Sequence, residues 1–401
     1  MKLLRTSTVP LSLDTFCKGL LKELQEQEGY EVVAVSSPDA ELEEIVSREG
    51  VRTYGVRMER HISPIKDLKS LWRLIKVFRK EKPDMVHSIT PKAGLLSMMA
   101  AWVCRVPVRL HTFTGLVFPT ATGLKQKILI FTDCLTCACA THISPEGEGV
   151  KNDLINYKIT KKPLKVLGYG NVRGIDLSHY NPDIREVREE ADKLRDDSKL
   201  TFIAVGRLVG DKGINELVAA FKRLNNEYPS TRLILVGPEE RELDPLKQET
   251  IDEIEASKAI KAVGLQKDVR PWLLASDCHV LASYREGFPN VVIEAGAMGL
   301  PSIVTDINGA REIIIDGENG VIIRNETLDS RNGTSDLGHR GGSLRGDELI
   351  EALYRAMKDF IENPEKVKRM AENARPLIAS RYEQGFVRNC LKDYYKEIMH
   401  N

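Results

Sequence analysis

Two hydrophobic spacings alternate along this chain. Short runs rich in Val, Ile and Leu predict buried strands, and the segments between them place apolar residues every three to four positions, as amphipathic helices do. In the first half, strands are predicted at 31–35, 84–87, 108–113 and 141–144, and helices near 13–26, 64–80 and 93–104. In the second half, strands are predicted at 200–206, 231–237, 278–281 and 301–305, with helices between them.

This alternation predicts an α/β fold, because strands separated by helices form parallel sheets that are covered on both faces. The length of 401 residues favours two domains over one. We therefore expect two Rossmann-like domains, residues 1–176 and 177–383, joined by the Gly-rich segment 168–176. A last helix within 384–401 is expected to return to the first domain.

Other segments limit the class of protein. Residues 325–346 are rich in Gly, Ser, Asn and Arg, which predicts an exposed loop. The longest apolar run, 93–103, is too short for a membrane span and predicts a buried helix. Residues 1–7 lack the features of a signal peptide. The 42% hydrophobic and 29% charged content is typical of a soluble globular protein.

The seven cysteines show no paired framework, which indicates a reducing compartment and favours the cytoplasm. Cys134, Cys137 and Cys139 lie in an apolar stretch without a second Cys or His pair at zinc-finger spacing. We interpret them as buried thiols rather than as metal ligands.

The net charge is zero, but residues 1–178 carry +7 and the remainder carries −7. A basic first half suggests an anionic partner, either a membrane surface or a phosphate-bearing acceptor, although chance asymmetry explains it equally well. No nucleic-acid partner is expected.

The segment from Ser63 to Lys80 begins with an N-cap and Pro64, and combines an apolar stripe with many basic residues. It could lie on the inner face of an anionic membrane, or its stripe could pack on the sheet.

The segment 286–301 holds the main candidate site. Glu286 and Glu294 flank a Gly/Pro loop, and Asn290 is a predicted N-cap for a helix at 291–298. Backbone amides at such a helix start can bind a diphosphate. The residues expected to bind the nucleotide at this helix start are Phe288, Pro289, Asn290 and Val291. Carboxylates bind phosphate poorly, so both glutamates are expected to contact sugar and ribose hydroxyls.

A second loop supplies positive charge. Gly206, Arg207 and Lys212 follow a predicted buried strand and precede a predicted helix, which is where α/β sheets bind ligands. Arg207 and Lys212 could both contact one diphosphate and stabilise the charge that develops as it departs. The chain contains no Asp-x-Asp motif, so we expect a reaction that requires no metal and no further cofactor.

The order of the Gly-Arg turn, the Lys-Gly pair and the Glu loop resembles retaining glycosyltransferases of family 4, which have the GT-B fold with two domains facing a cleft. The resemblance implies that Glu286 faces the donor sugar hydroxyls and that Glu294 binds the ribose. It also implies backbone contacts from Leu265 and Gln266 to the nucleobase, with uridine as the default. The segment 8–12 lacks the Gly-Gly pair that many members carry after the first strand.

Segments 86–96, 110–118 and 168–182 resemble the members that build bacterial surface polysaccharides on a polyprenyl carrier. In that reading His111 lies in a loop facing the cleft and contacts the donor sugar or its β-phosphate. The alternative is a strand-end histidine bonded to backbone. Lys92 could bind an acceptor diphosphate or be a solvated lysine. Thr114 and Gly115 are candidate acceptor contacts.

The sequence therefore predicts a retaining, metal-independent hexosyltransferase. It would move a hexose or N-acetylhexosamine from a nucleotide-diphosphate sugar to a sugar acceptor, one carried on a polyprenyl diphosphate. Two alternatives stay open. One is an enzyme similar to UDP-N-acetylglucosamine 2-epimerases, and the other is a catalytically silent nucleotide-sugar-binding partner of a capsule-assembly complex.

Overall fold

The computed structural model describes residues 1–59, 61, 63–198, 200–241, 244–324, 344 and 346–400. The chain forms two compact units. The first unit comprises Met1–Gly174 and Gly385–Asn401, and the second comprises Ile175–Gln384. The sequence analysis placed the corresponding boundaries after residues 176 and 383.

The first unit contains a parallel sheet of six strands in the order β3-β2-β1-β4-β5-β6. The strands are β1 Lys2–Thr6, β2 Glu31–Ser36, β3 Arg52–Gly55, β4 Met85–Ile89, β5 Val108–Phe113 and β6 His142–Pro145. The helices are α1 Pro10–Cys17, α2 Leu20–Glu26, α3 Ala40–Glu49, α4 Pro64–Glu81, α5 Pro91–Val103, α6 Gly123–Cys139 and α7 Glu148–Asn156.

The second unit contains another parallel sheet of six strands, in the order β12-β11-β10-β7-β8-β9. The strands are β7 Leu200–Val205, β8 Thr231–Val236, β9 Ile260–Ala262, β10 Cys278–Leu281, β11 Ser302–Thr305 and β12 Gly320–Ile323. The helices are α8 Arg185–Leu194, α9 Ile214–Glu227, α10 Gln248–Ala256, α11 Arg270–Leu274, α12 Asn290–Ala297, α13 Ala310–Ile313, α14 Asp347–Glu362 and α15 Pro364–Tyr382. The last helix, α16 Gln384–His400, belongs almost entirely to the first unit.

Both sheets have the strand order of a dinucleotide-binding fold, and in both the order reverses beside the first strand. The topological switch point lies between β1 and β4 in the first unit and between β7 and β10 in the second. Ligands of open α/β sheets bind at the carboxyl ends of the strands at such points. The two-domain α/β prediction is confirmed.

Helices cover both faces of the first sheet. Residues of α1, α2, α3 and α16 share one buried cluster. Residues of α4, α5, α6 and α7 share another. Tyr395 of α16 is fully buried in the former, where its hydroxyl accepts a hydrogen bond from Arg5 of β1 at 3.0 Å and lies 2.6 Å from Nδ1 of His87. The last helix is thus anchored in the core of the first unit.

Three sequence predictions need correction. The predicted helix near 13–26 is two helices, because Gly19 adopts a left-handed φ of +74° and its amide donates to Glu49 at 2.8 Å. The apolar stripe of α4 does not pack wholly on the sheet, because Leu68 and Trp72 are exposed. Most of the loop predicted at 325–346 lies outside the described residues; of the two residues that the structure describes there, Leu344 is buried and Gly346 is exposed.

Two other predictions concern cysteines and membrane spans. All seven cysteines are free thiols; Cys137 and Cys139 are buried, as predicted, whereas Cys134 is only half buried, so the prediction for it is wrong. Burial raises the pKa of the Cys137 thiol to about 12. Among the described residues, no helix combines the length and hydropathy that crossing a bilayer requires.

Candidate donor site in the second unit

Glycine backbone shapes the turns that follow β7, β8 and β9. The amide of Gly206 donates to Val236 at 2.9 Å, and the amide of Gly237 donates to Gly264 at 2.9 Å. A Cβ on Gly237, whose φ is +141°, would lie 1.8 Å from the carbonyl oxygen of Gly206. No side chain fits there, so the first two turns can approach each other closely.

The loop after β7 is held against the end of β10. Residues Gly210–Lys212 form a 3₁₀ turn, and Gly213 follows with a φ of +67°. A Cβ on Gly213 would lie 2.1 Å from the carbonyl oxygen of Ala282. The carboxylate of Asp244 accepts the amide of Asp211 at 2.6 Å and fixes the turn from the other side. This geometry brings Lys212 to the loop that follows β10.

Lys212 and Glu286 form an ion pair at the switch point. Ser283, which is buried, donates its hydroxyl to the same carboxylate oxygen of Glu286 at 3.0 Å. The hydroxyl of Thr305 on β11 donates to the carbonyl oxygen of Ser283 at 2.6 Å. Glu286 is therefore held by one cation and one fixed hydroxyl. Sequence reasoning missed Ser283, which carries no motif.

Two arginines flank this pair. Arg207 is half exposed and forms an ion pair with Glu240 at 2.7 Å. Arg285 forms an ion pair with Asp211 at 2.8 Å and was not predicted, although it directly precedes Glu286 in the sequence. A small hollow at the switch point is lined by parts of both loops, including Gly206, Arg207, Lys212 and Ser283.

The start of α12 differs from its prediction. Pro289 occupies the N-cap position and Asn290 is the first helical residue, so the prediction that Asn290 caps this helix is wrong. The Gly/Pro loop packs tightly on Gly309, where a Cβ would lie 2.6 Å from both the Gly287 oxygen and the Phe288 Cα. Phe288 is buried, whereas Val291 and Glu294 are half buried within the helix. Glu294 therefore follows the loop by about one turn of the same helix, as predicted.

The two predicted nucleobase contacts, Leu265 and Gln266, lie in the turn after β9 and differ in their surroundings. Leu265 is largely exposed, whereas the side-chain amide of Gln266 donates to the carbonyl oxygen of Val263 at 2.6 Å. Gln266 therefore closes its own turn with its side chain. Gly264, with a φ of +67°, lies between Val263 and Leu265 and allows the chain to turn there.

His111 lies inside the first unit rather than in a loop. It belongs to β5 and is 1% exposed, so the predicted loop position is wrong. Its Nδ1 lies 2.8 Å from the Ser88 hydroxyl, and its ring lies against Gly94 of α5, where a Cβ would come within 2.3 Å of it. Burial lowers the pKa of His111 to about 3 and keeps the imidazole neutral.

The other candidates of the first unit lie near its own switch point. Lys92 forms an ion pair with Asp67 at 2.6 Å, and both side chains are mostly buried, so it is not a solvated surface lysine. Thr114 and Gly115 follow β5 in a half-exposed loop. Among the described residues, no three His, Cys, Asp or Glu side chains are grouped so that they could hold a metal ion.

Comparisons with known proteins agree with this fold. Residues 186–332 match the family described as "Glycosyl transferases group 1", and residues 14–170 match "Glycosyl transferase 4-like domain". The chain is 32% identical over 307 residues to the capsular polysaccharide biosynthesis glycosyltransferase CapM of Staphylococcus aureus, which covers 75% of this chain and 78% of the relative. It is 29% identical over 347 residues to a UDP-Gal:alpha-D-GlcNAc-diphosphoundecaprenol alpha-1,3-galactosyltransferase of Escherichia coli, covering 85% and 82%.

Solved structures show the same fold. Anabaena HepE in complex with UDP superposes with a TM-score of 0.75 at 16% identity, covering 99% of this chain and 100% of HepE. The UDP-GlcNAc 2-epimerase of Neisseria meningitidis shares the fold with a TM-score of 0.65 at 17% identity, covering 99% and 100%. At these identities the likeness concerns the fold alone.

The two parallel sheets and the two family matches define a GT-B enzyme. The chain belongs to the group 1 glycosyltransferases, family 4, and is a hexosyltransferase.

Proposed function

We propose that this protein transfers a hexose or N-acetylhexosamine from a UDP-sugar, with retention of anomeric configuration and without a metal. The proposed acceptor is a sugar carried on a polyprenyl diphosphate, in the synthesis of a bacterial surface polysaccharide. We also propose that the reaction takes place in the cytoplasm, at the inner face of the membrane.

The ion pair between Lys212 and Glu286 is the observation that carries this proposal. It joins a cation suited to a diphosphate with a carboxylate suited to sugar hydroxyls. A donor diphosphate would offer Lys212 another anion, and Glu286 could then accept hydrogen bonds from the sugar. Arg207 lies on the same loop as Lys212, and Glu294 lies one turn into α12, where it could reach the ribose.

The names of relatives support the substrate classes. The Escherichia coli relative is named for a UDP-galactose donor and a diphosphoundecaprenol-linked acceptor. A relative from Campylobacter jejuni, 24% identical over 314 residues, is named for a diphospho-undecaprenol-linked acceptor as well. HepE was solved with UDP. These names motivate UDP and a lipid-linked acceptor as the first compounds to test.

In the proposed mechanism the acceptor hydroxyl attacks the anomeric carbon from the side of the leaving group. The bond from that carbon to the β-phosphate oxygen breaks, the bond to the acceptor oxygen forms, and the acceptor proton passes to the departing β-phosphate. Arg207, Lys212 and the amides near Phe288 would stabilise the charge on that phosphate, and one such donor is typically worth about 3–4 kcal/mol.

In this proposal, residues of the first unit contact the acceptor rather than the donor diphosphate. Thr114 and Gly115 lie in a half-exposed loop and are proposed acceptor contacts. His111 and Lys92 are given no direct contact, because the former is buried and the latter is paired with Asp67. Leu265 is proposed to contact the nucleobase through its backbone.

Thermal shift with a panel of nucleotide sugars, in the presence of EDTA, tests the donor. Wild type should be stabilised by UDP and by one UDP-sugar, and Arg207→Ala and Glu294→Ala should lose most of that shift. Arg223→Ala is the matched control, because Arg223 is a half-exposed, ion-paired arginine of the same unit.

Transfer to a synthetic polyprenyl-diphosphate sugar tests the reaction, with NMR of the product anomer. Retention without metal supports the proposal, and an inverted product or a strict metal requirement contradicts the corresponding part. Interconversion of the donor sugar without an acceptor would identify an epimerase. Tight donor binding without transfer or hydrolysis would identify a silent binding partner.

A further inference from the structure

The helices α4, α5 and α6 expose several large apolar side chains. These helices form one layer on the first sheet, with α5 in contact with both neighbours. We call their exposed apolar side chains the outer face. Its main members are Ile65, Leu68, Trp72, Trp102, Leu124 and Phe131. Leu68 is 67% exposed, Trp102 is 60% exposed and Phe131 is 65% exposed.

Helical spacing makes the outer face continuous along each long helix. Ile65, Leu68 and Trp72 recur at three and four residues on α4, and Leu124, Ile128 and Phe131 recur at four and three residues on α6. The sheet-facing sides of these helices are filled by other residues, such as Leu74 and Phe78. Packing of the first unit therefore does not explain why the outward positions are apolar. Such a patch marks an interaction surface.

The exposed charges on α4, α5 and α6 are all positive. Helices α4, α5 and α6 are described throughout, and every charged side chain that they expose is a lysine or arginine. None of their three carboxylates is exposed, because Asp67 is paired with Lys92, Glu81 is buried and Asp133 is half buried. Lys76 lies over the Trp72 ring with its Nζ 3.4 Å from the ring centroid, so cations and apolar groups alternate closely.

We propose that the outer face docks on a bilayer of anionic lipids. Apolar side chains would enter the boundary between headgroups and acyl chains, while lysines and arginines such as Lys69, Arg73 and Lys125 contact lipid phosphates. A second copy of this chain is a less suitable partner for the outer face, because the two basic faces would repel each other. The inference rests on the proposed function, since it brings the enzyme to a lipid-linked acceptor.

Vesicle co-sedimentation of the full chain tests this surface. Vesicles of phosphatidylglycerol and phosphatidylethanolamine should bind the protein, and pure phosphatidylcholine should bind it much less. The triple variant Leu68→Gln, Trp72→Gln and Phe131→Gln should lower the partition coefficient at least about tenfold. Val46→Gln is the matched control, because Val46 is exposed on α3 at the opposite face of the sheet.

Two further measurements separate the alternatives. Stabilisation of the triple variant by UDP should equal that of wild type, which shows that the protein is folded and that the surface is independent of the donor site. If the protein binds anionic vesicles but no nucleotide, the membrane-docking proposal is supported and the proposed function is contradicted. The surface proposal is overturned if wild type ignores anionic vesicles, if the triple variant binds them equally, or if the substitutions abolish self-association or the capture of an acidic protein instead.

Discussion

Lys212 and Glu286 form an ion pair across the topological switch point of the second sheet, joining the loop after β7 to the loop after β10. The pair is separated by 74 residues in the sequence. Gly213 allows the loop after β7 to approach Ala282 at the end of β10, and Gly309 allows the loop after β11 to pack on the Gly/Pro loop that follows Glu286. In the proposed reaction these two side chains have separable tasks, which makes the pair a direct experimental target.

Lys212→Met should weaken UDP binding about 10- to 100-fold, or about 1.4–2.8 kcal/mol, because it removes a cation from the diphosphate. Glu286→Gln should leave UDP affinity within about threefold but lower the transfer rate at least about 100-fold. Calorimetry with UDP and a steady-state transfer assay measure the two effects. Lys222→Met, at an ion-paired lysine of α9, is the control. Equal loss of UDP affinity in both site variants would contradict the division of tasks.

Ser283→Ala should lower the transfer rate about 5- to 10-fold while UDP affinity stays unchanged. The hydroxyl of Ser283 donates to the carboxylate of Glu286, and a single hydrogen bond of this kind is worth about 1 kcal/mol. Separate determination of kcat and of the UDP dissociation constant checks this. A change in UDP affinity as large as the change in kcat would mean that Ser283 only maintains the fold of the loop.

Gly213→Ala should destabilise the second unit far more than Gly264→Ala. Both glycines have a φ of +67°, so alanine costs about 1–2 kcal/mol at either position from backbone strain alone. Only at Gly213 would the new Cβ also meet the Ala282 carbonyl oxygen, whereas Gly264 has open space around it. Urea denaturation of the two variants measures the difference. Equal midpoints would show that the loop relaxes freely and does not hold Lys212 in place.

Tyr395→Phe should destabilise the first unit by about 2–3 kcal/mol, because Arg5 is buried and loses a hydroxyl partner. Tyr394→Phe is the control, at the neighbouring tyrosine whose ring packs on His142. Thermal unfolding of both variants checks the prediction. If the two variants unfold alike, the hydroxyl of Tyr395 does not anchor α16.

Acid should destabilise the fold below about pH 6.5, partly through His279. Burial lowers the pKa of His279 to about 3, whereas an unfolded chain binds that proton near pH 6.5. The unfolded state then holds more protons, so stability falls as the pH falls, by up to about 1.4 kcal/mol per pH unit. His279→Gln should reduce this slope in denaturation series from pH 7 to 5. The same substitution at the exposed His179 is the control, and an unchanged slope in His279→Gln would refute the assignment.

The sequence by itself determined the fold class and the main candidate residues. Hydrophobic spacing marked eight of the strands, and the Gly, Arg, Lys and Glu motifs lie together because each follows the carboxyl end of a strand. Local patterns carry such information because they reflect backbone geometry and burial. The other four strands, β1, β3, β9 and β12, were not predicted, and length alone does not explain this, because β6, β10 and β11 also have four residues.

Only the tertiary structure decided the rest. The burial of His111 beneath Gly94 and the pairing of Lys92 with Asp67 depend on contacts between distant segments. The same holds for Ser283, whose bond to Glu286 depends on the path of a whole loop. Sequence spacing also could not tell that Leu68 and Trp72 face outward, because a helix can bury any of its faces until its neighbours are known.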